Sequence, residues 1–140
     1  MASKGQITGM QGVYLVAAEL SRSGFIVSPT SRSAAGADLL VTDQSCQKAF
    51  SVQIKTNAKT FSFWLLTQKA KDLSSPTHVY VLVNLRKGGS EIEYYVVPSR
   101  VVAKKMFKST SSTGSVWYAI STEGIETYRD KWSIFGGEEA

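Results

Sequence analysis

The chain has 140 residues, 43% hydrophobic and 19% charged, with a formal net charge of +5 and a pI near 9.4. These values are ordinary for one soluble folded domain spanning residues 1–140, and no apolar run approaches the roughly 18 residues that a membrane helix needs. Cys46 is the single cysteine, which excludes an intrachain disulfide and a Cys-based zinc site.

The opening "MASKGQITGMQG" lacks the apolar core of a signal peptide. With the lone cysteine, that leads us to expect a reducing, cytoplasmic setting. The basic balance is compatible with a nucleic-acid or anionic-lipid partner. Of the eleven acids, Glu19 and Asp38 alone fall in the first 42 residues, both in mostly apolar surroundings. A carboxylate there costs free energy unless something satisfies it.

Taken in chain order, residues 1–8 read as a loose polar start and 8–22 as a helix. Val13, Val16, Ala17 and Leu20 form one apolar stripe. Glu19 sits on its flank, roughly 110° from the centre by the helical period. Ser23-Gly24 is a glycine stop. Strands are expected at 25–29, 37–43 and 49–56. In the third, Phe50, Val52 and Ile54 alternate with Ser51, Gln53 and Lys55. The stretch 61–73 carries a helix in its second half, ended by Ser74-Ser75-Pro76. "HVYVLVNL" at 78–85 is apolar enough to be buried on both faces. "RKGGS" is a hairpin turn into a strand at 91–97. A helix follows at 98–107 behind Pro98 and Ser99, then a flexible loop at 108–115, a short strand "VWYAIS", a helix at 122–132 and a frayed tail. The order is α-β-β-β-α-β-β-α-(β)-α: an α/β fold with one mixed central sheet flanked by helices.

If the second and third strands form a hairpin, Asp38 meets Gln53, and Lys55 shares a face with Gln53. Glu19 on the helix flank, Gly36-Ala37-Asp38 opening the second strand and Gln53-Ile54-Lys55 in the third resemble the PD-(D/E)XK nuclease superfamily. That superfamily has the restriction-endonuclease-like fold, with resolvase-like members and a core order αβββαβ. The resemblance implies a Mg²⁺- or Mn²⁺-dependent endonuclease acting on DNA, including structured or junction DNA. It makes Asp38, Gln53, the Ile54 carbonyl and Glu19 metal ligands, and Lys55 the group that orients the attacking water and meets the phosphate. Gln53 stands where the family usually has Asp or Glu. A glutamine oxygen can ligate but brings no charge, and one charge pair at about 4 Å is worth up to roughly 4 kcal/mol at an effective dielectric constant near 20. Ala37 replaces the motif proline, which supplies no ligand.

Lys59, Gln68, Lys69 and Lys71 follow closely and are candidate nucleic-acid contacts. A homodimer would suit a cleft that cuts duplex DNA symmetrically. Two other readings stand beside the nuclease. One is a catalytically weak or inactive protein of the same fold that binds nucleic acid or a protein partner. The other is an unrelated α/β interaction module whose polar strand residues are solvated. His78, the sole histidine, cannot build a His-rich site and reads as structural. Cys46 has no base partner in sequence. Trp64, Trp117 and Trp132 are expected in the core or at its edge, and one of Tyr94 and Tyr95 at the surface.

Overall fold

The computed structural model describes residues 1–31, 36–85 and 91–136. The proposed "RKGGS" hairpin turn lies outside them, as do most of the 30–36 loop and of the C-terminal tail. Helix α1 (Lys4–Arg22) begins four residues earlier than the apolar stripe suggests. Ser3 and Gln6 form a reciprocal capping box that satisfies two of the free N–H groups of the first turn. Gly24, at φ 95°, adopts the left-handed conformation that stops the helix.

Five strands form the main sheet in the order β1-β2-β3-β5-β6: β1 (Ile26–Pro29), β2 (Leu39–Thr42), β3 (Ala49–Asn57), β5 (His78–Asn84) and β6 (Glu93–Pro98). All neighbours are antiparallel except β3 and β5, which run parallel. The sheet is therefore mixed. A second sheet, ordered β4-β8-β7, contains β4 (Phe63–Leu66), β7 (Phe107–Thr110) and β8 (Val116–Ser121). Helix α2 (Ser99–Lys105) follows β6 directly.

The period-2 pattern of β5 and β6 sorts their side chains onto two cores. Val79, Val81, Val83, Tyr94 and Val96 pack with Val16 and Leu20 of α1 and with Phe135. Tyr80, Leu82, Tyr95 and Val97 pack on the other face with Trp64, Leu66, Val102 and Ile120. β5 is buried throughout, as its apolar run requires. Because both faces are covered, Tyr94 and Tyr95 are both buried, and neither reaches the surface as the sequence suggested.

Three segments depart from the sequence expectation. The helix expected within 61–73 is instead β4 followed by one 3-10 turn at Gln68–Lys71. The run Phe63-Trp64-Leu65-Leu66 alternates, with Trp64 and Leu66 inward and Phe63 and Leu65 outward, and its aromatic content favours strand. The loop expected at 108–115 begins within β7, which pairs with β8 across a turn at 111–115. The helix expected at 122–132 is two 3-10 turns, Glu126–Tyr128 and Trp132–Phe135. Gly124 at φ 91° and Asp130 at φ 54° interrupt any continuous helix.

Packing at the first core sets one tight constraint. Gly12 of α1 lies against Thr56 of β3, and a Cβ on Gly12 would fall 1.8 Å from Thr56 Oγ1. The absence of a side chain lets the helix backbone lie close on the strand that carries Gln53 and Lys55.

Candidate active site

β2 begins only at Leu39, opposite Val52, whereas β3 continues to Asn57 alongside β5. Residues 53–57 thus have a strand partner on one side only. Asp38 sits at the mouth of this notch. Its backbone N–H donates to Val52 O at 2.7 Å, extending the ladder by one residue. Its carboxylate then does what the missing strand would have done: Oδ2 accepts from the Ile54 N–H at 2.8 Å and from Gln53 Nε2 at 3.0 Å. The hairpin reading of the sequence is correct here, because the observed register sets Asp38 across from Gln53.

The backbone that presents Asp38 is held from behind. Thr30 Oγ1 donates to Ala37 O at 2.7 Å, and the Thr30 N–H donates to Asp38 O at 3.0 Å. Fixing the backbone on both sides of Asp38 holds its carboxylate in one geometry without any ligand.

Two clefts meet at Gln53. The larger, about 490 Å³, lies between the N-terminal half of α1 and the β2–β3 notch. Asp38, Gln53 and Ile54 line it from the sheet side beside Thr30, and Gln6 and Met10 line it from α1. The smaller, about 200 Å³, is lined by Gln53, Lys55, Thr67, Lys69 and Tyr80 among others. Lys55 and Gln53 alternate onto one face of β3, which accounts for their sharing this second cleft. Burial pushes the Tyr80 phenol above its ordinary 10.0, so the ring enters the cleft wall as a neutral hydroxyl.

Asp38, Gln53, Ile54 and Lys55 are brought together; Glu19 is not. α1 offers Gln6, Gly9, Met10, Val13 and Tyr14 to the larger cleft. Glu19 lies six residues beyond Val13, roughly 9 Å along the helix axis. Its carboxylate pairs with Arg22 at 2.6 Å. Its charge also bears on Tyr94 of β6, whose phenol is pushed up by burial first and by Glu19 and Asp130 second. Of the four candidate nucleic-acid contacts, Lys69 lines the smaller cleft, while Lys59, Gln68 and Lys71 are exposed residues outside the lining of both. Thr30, Thr67 and Tyr80 were not singled out in sequence. Their signal is positional, since they come from loops and neighbouring strands that meet the notch only after folding.

His78 is buried, with Nδ1 at 2.7 Å from Ser51 Oγ. Burial holds its imidazole below the ordinary 6.5, and the Ser51 hydrogen bond partly opposes this. That agrees with a structural role. Cys46 is exposed at φ 57° in the β2–β3 turn. Trp64 donates Nε1–H to Val83 O at 3.0 Å from within the second core, Trp132 packs at the edge of the first, and Trp117 lies at the surface.

The donor set can be tested against a divalent cation from the hydrogen bonds alone. Asp38 Oδ1 and Gln53 Oε1 accept from no donor among the described residues, because both inward hydrogen bonds fall on Asp38 Oδ2. Gln53 presents its amide nitrogen to Asp38, so its Oε1 would join Asp38 Oδ1 on a hard, partly hydrated cation once the amide turns over. No group of three His, Cys, Asp or Glu gathers among the described residues, so Asp38 is the one carboxylate of the set.

No protein-family model matches the chain, and no curated protein matches it. Solved structures do. A Holliday junction resolvase, Hjc, of Archaeoglobus fulgidus is similar at TM-score 0.58 and 11% identity, over 90% of this chain and 97% of that one. The bacterial homing endonuclease I-Ssp6803I is similar at TM-score 0.60 and 17% identity, over 97% of this chain and 94% of that one. At such identities the likeness speaks to the fold: this chain has the restriction-endonuclease-like α/β fold, with a mixed five-stranded sheet between helices and a second small sheet.

Proposed function

We propose that the chain is a metal-dependent DNA endonuclease of the Q-x-K type within the PD-(D/E)XK superfamily, contained in one domain over residues 1–140. One observation carries this reading: Asp38 and Gln53 face each other across the end of β2, with Lys55 two residues further along the same strand face as Gln53. The fold neighbours, named as a Holliday junction resolvase and a homing endonuclease, support DNA as the substrate class.

In this reading Asp38 Oδ1, Gln53 Oε1 and the Ile54 carbonyl hold one Mg²⁺ or Mn²⁺. The ion, when bound, supplies Lewis acidity and positive charge toward the phosphodiester. Lys55 meets a non-bridging phosphate oxygen from the other side of Gln53 and orients the attacking water. Lys69 and Thr67 receive the neighbouring phosphate in the smaller cleft. Lys59 and Lys71 extend the basic surface beyond it, with Gln68 as a neutral polar contact. Glu19 has no part in this assignment, since its carboxylate is paired with Arg22. A symmetric cut of duplex DNA would call for two copies of the site.

A second reading is a binding protein with little or no cleavage. It is favoured by the Gln53 amide, which donates to Asp38 and leaves a single charge on the donor set. A panel of labelled DNAs (duplex, single strand, flap and four-way junction) in Mg²⁺ or Mn²⁺ separates the two. Metal-dependent cleavage by the wild type that is lost in both Asp38→Ala and Lys55→Ala is the expected result. Salt-sensitive binding with no cleavage of any substrate would instead establish the binder.

A further inference from the structure

The outward face of the second sheet carries an apolar surface, and none of its described strand positions is charged. Strand alternation turns Phe63 and Leu65 of β4, Trp117 of β8 and Phe107 of β7 to this side. Phe61 joins them at one end. The rings form a connected row: Phe61 to Phe63 at 6.2 Å, Phe63 to Trp117 at 6.2 Å and Phe107 to Trp117 at 6.4 Å. The remaining outward positions on the three strands are Ser109, Ala119 and Ser121. Lys108, the one charged strand residue nearby, alternates to the opposite face.

Exposure is substantial at every one of these side chains: Phe61 46%, Phe63 37%, Leu65 60%, Phe107 41% and Trp117 36%. At about 200 Å² per large apolar side chain, this leaves roughly 450 Å² of apolar surface. A patch of this size matches the largest on a typical monomer, about 300–600 Å², which is often functional. Two such faces brought together would remove about 900 Å² from these five side chains alone. That is most of the roughly 1,000 Å² at which a specific interface begins, before any polar neighbour is counted.

We propose that this face is where a second copy of the chain docks. The lack of charge decides the occupant. Surfaces that stack unpaired bases combine aromatic rings with a basic groove for the phosphates, and here no Lys or Arg stands at an outward position of the three described strands. The layout is also self-complementary. β8 is the central strand, and the outer strands on both sides present large apolar groups. A twofold axis near Trp117 therefore lays Phe63 and Leu65 of one copy over apolar groups of its partner, the isologous contact of a symmetric dimer. Such a dimer would carry two of the proposed sites. Its purpose rests on the nuclease reading, but its existence does not.

Sedimentation velocity of the full chain tests the proposal. The wild type is expected at twice its 15.3 kDa mass at micromolar concentration. Leu65→Glu combined with Phe107→Glu is expected as a monomer with unchanged circular dichroism and thermal midpoint. Leu65→Arg alone, at the most exposed of the five positions, should weaken association at least tenfold and keeps the test open if the double variant fails to fold. A wild type that stays monomeric at tens of micromolar overturns the proposal. So does a dimer that persists in both variants. Loss of single-strand DNA binding in the variants of a monomeric protein would assign the face to nucleic acid instead.

Discussion

Replacing Gly12 by Ala should destabilise the protein although alanine is the better helix former. In an exposed helix the exchange would gain about 1 kcal/mol. Here the new methyl would meet Thr56 Oγ1 at 1.8 Å, Thr56 Cβ at 2.9 Å and Thr56 Cγ2 at 3.0 Å. Rotating the threonine moves its oxygen and methyl but leaves its Cβ in place, so α1 must retreat from β3. Overpacking of this kind costs about 1–3 kcal/mol, occasionally more. The retreat also loosens Val16 and Leu20 against the first core. We expect a net loss of about 2 kcal/mol, read by urea denaturation. Thr56→Ala should be mild alone, because its hydroxyl is buried without a hydrogen-bond partner among the described residues. In the Gly12→Ala background it should recover part of the loss, giving a coupling of about 1 kcal/mol between the two sites. A Gly12→Ala variant at least as stable as the wild type, or strict additivity in the cycle, would refute the close-contact argument.

Changing Gln53 to Glu converts the donor facing Asp38 into a second carboxylate. The metal-free protein should lose about 1–3 kcal/mol through lost hydrogen bonding and like-charge repulsion. Its thermal midpoint should then rise with Mg²⁺ far more than that of the wild type, and equal midpoints in chelator and in Mg²⁺ would argue against a cation seat at this pair. His78 makes stability pH-dependent. Its pKa is lowered by burial, so its contribution is fully present above the unfolded value near 6.5 and is lost as pH falls from there through the folded pKa. The urea midpoint should therefore decline between pH 7.5 and pH 5.5, and less steeply in His78→Gln; parallel declines would remove His78 as the cause.

The sequence was most legible where periodicity and burial agreed. α1, β3 and β5 each bury the residues their patterns mark, and the Asp38–Gln53 encounter follows from a short hairpin whose alternation is unambiguous. The second sheet was hidden for a reason that also bears on its function. Phe63, Leu65 and Phe107 are apolar but face outward, so they blur the alternation that would reveal β4 and β7. A short apolar run without polar alternates cannot be told from helix by pattern alone. Glu19 illustrates a different limit. The helical period gives an angle about the axis, and the flank position was read from it. Distance along the axis depends on where the helix crosses the sheet, which Gly12 and Thr56 determine only in three dimensions.

The Asp38–Gln53 hydrogen bond has a consequence for the resting molecule. Two facing carboxylates would repel each other and lower the stability of the chain whenever no cation lay between them. With glutamine, the site closes on itself: the amide supplies the counter-donor, and the charge of Asp38 is compensated before any ligand arrives. Engagement of an ion or a phosphate is then an exchange of partners that leaves the backbone in place, with Thr30 holding the strand end throughout. In the proposed nuclease, such a site would stay intact through long intervals without metal, and its occupancy would follow the free cation concentration instead of being fixed once at folding.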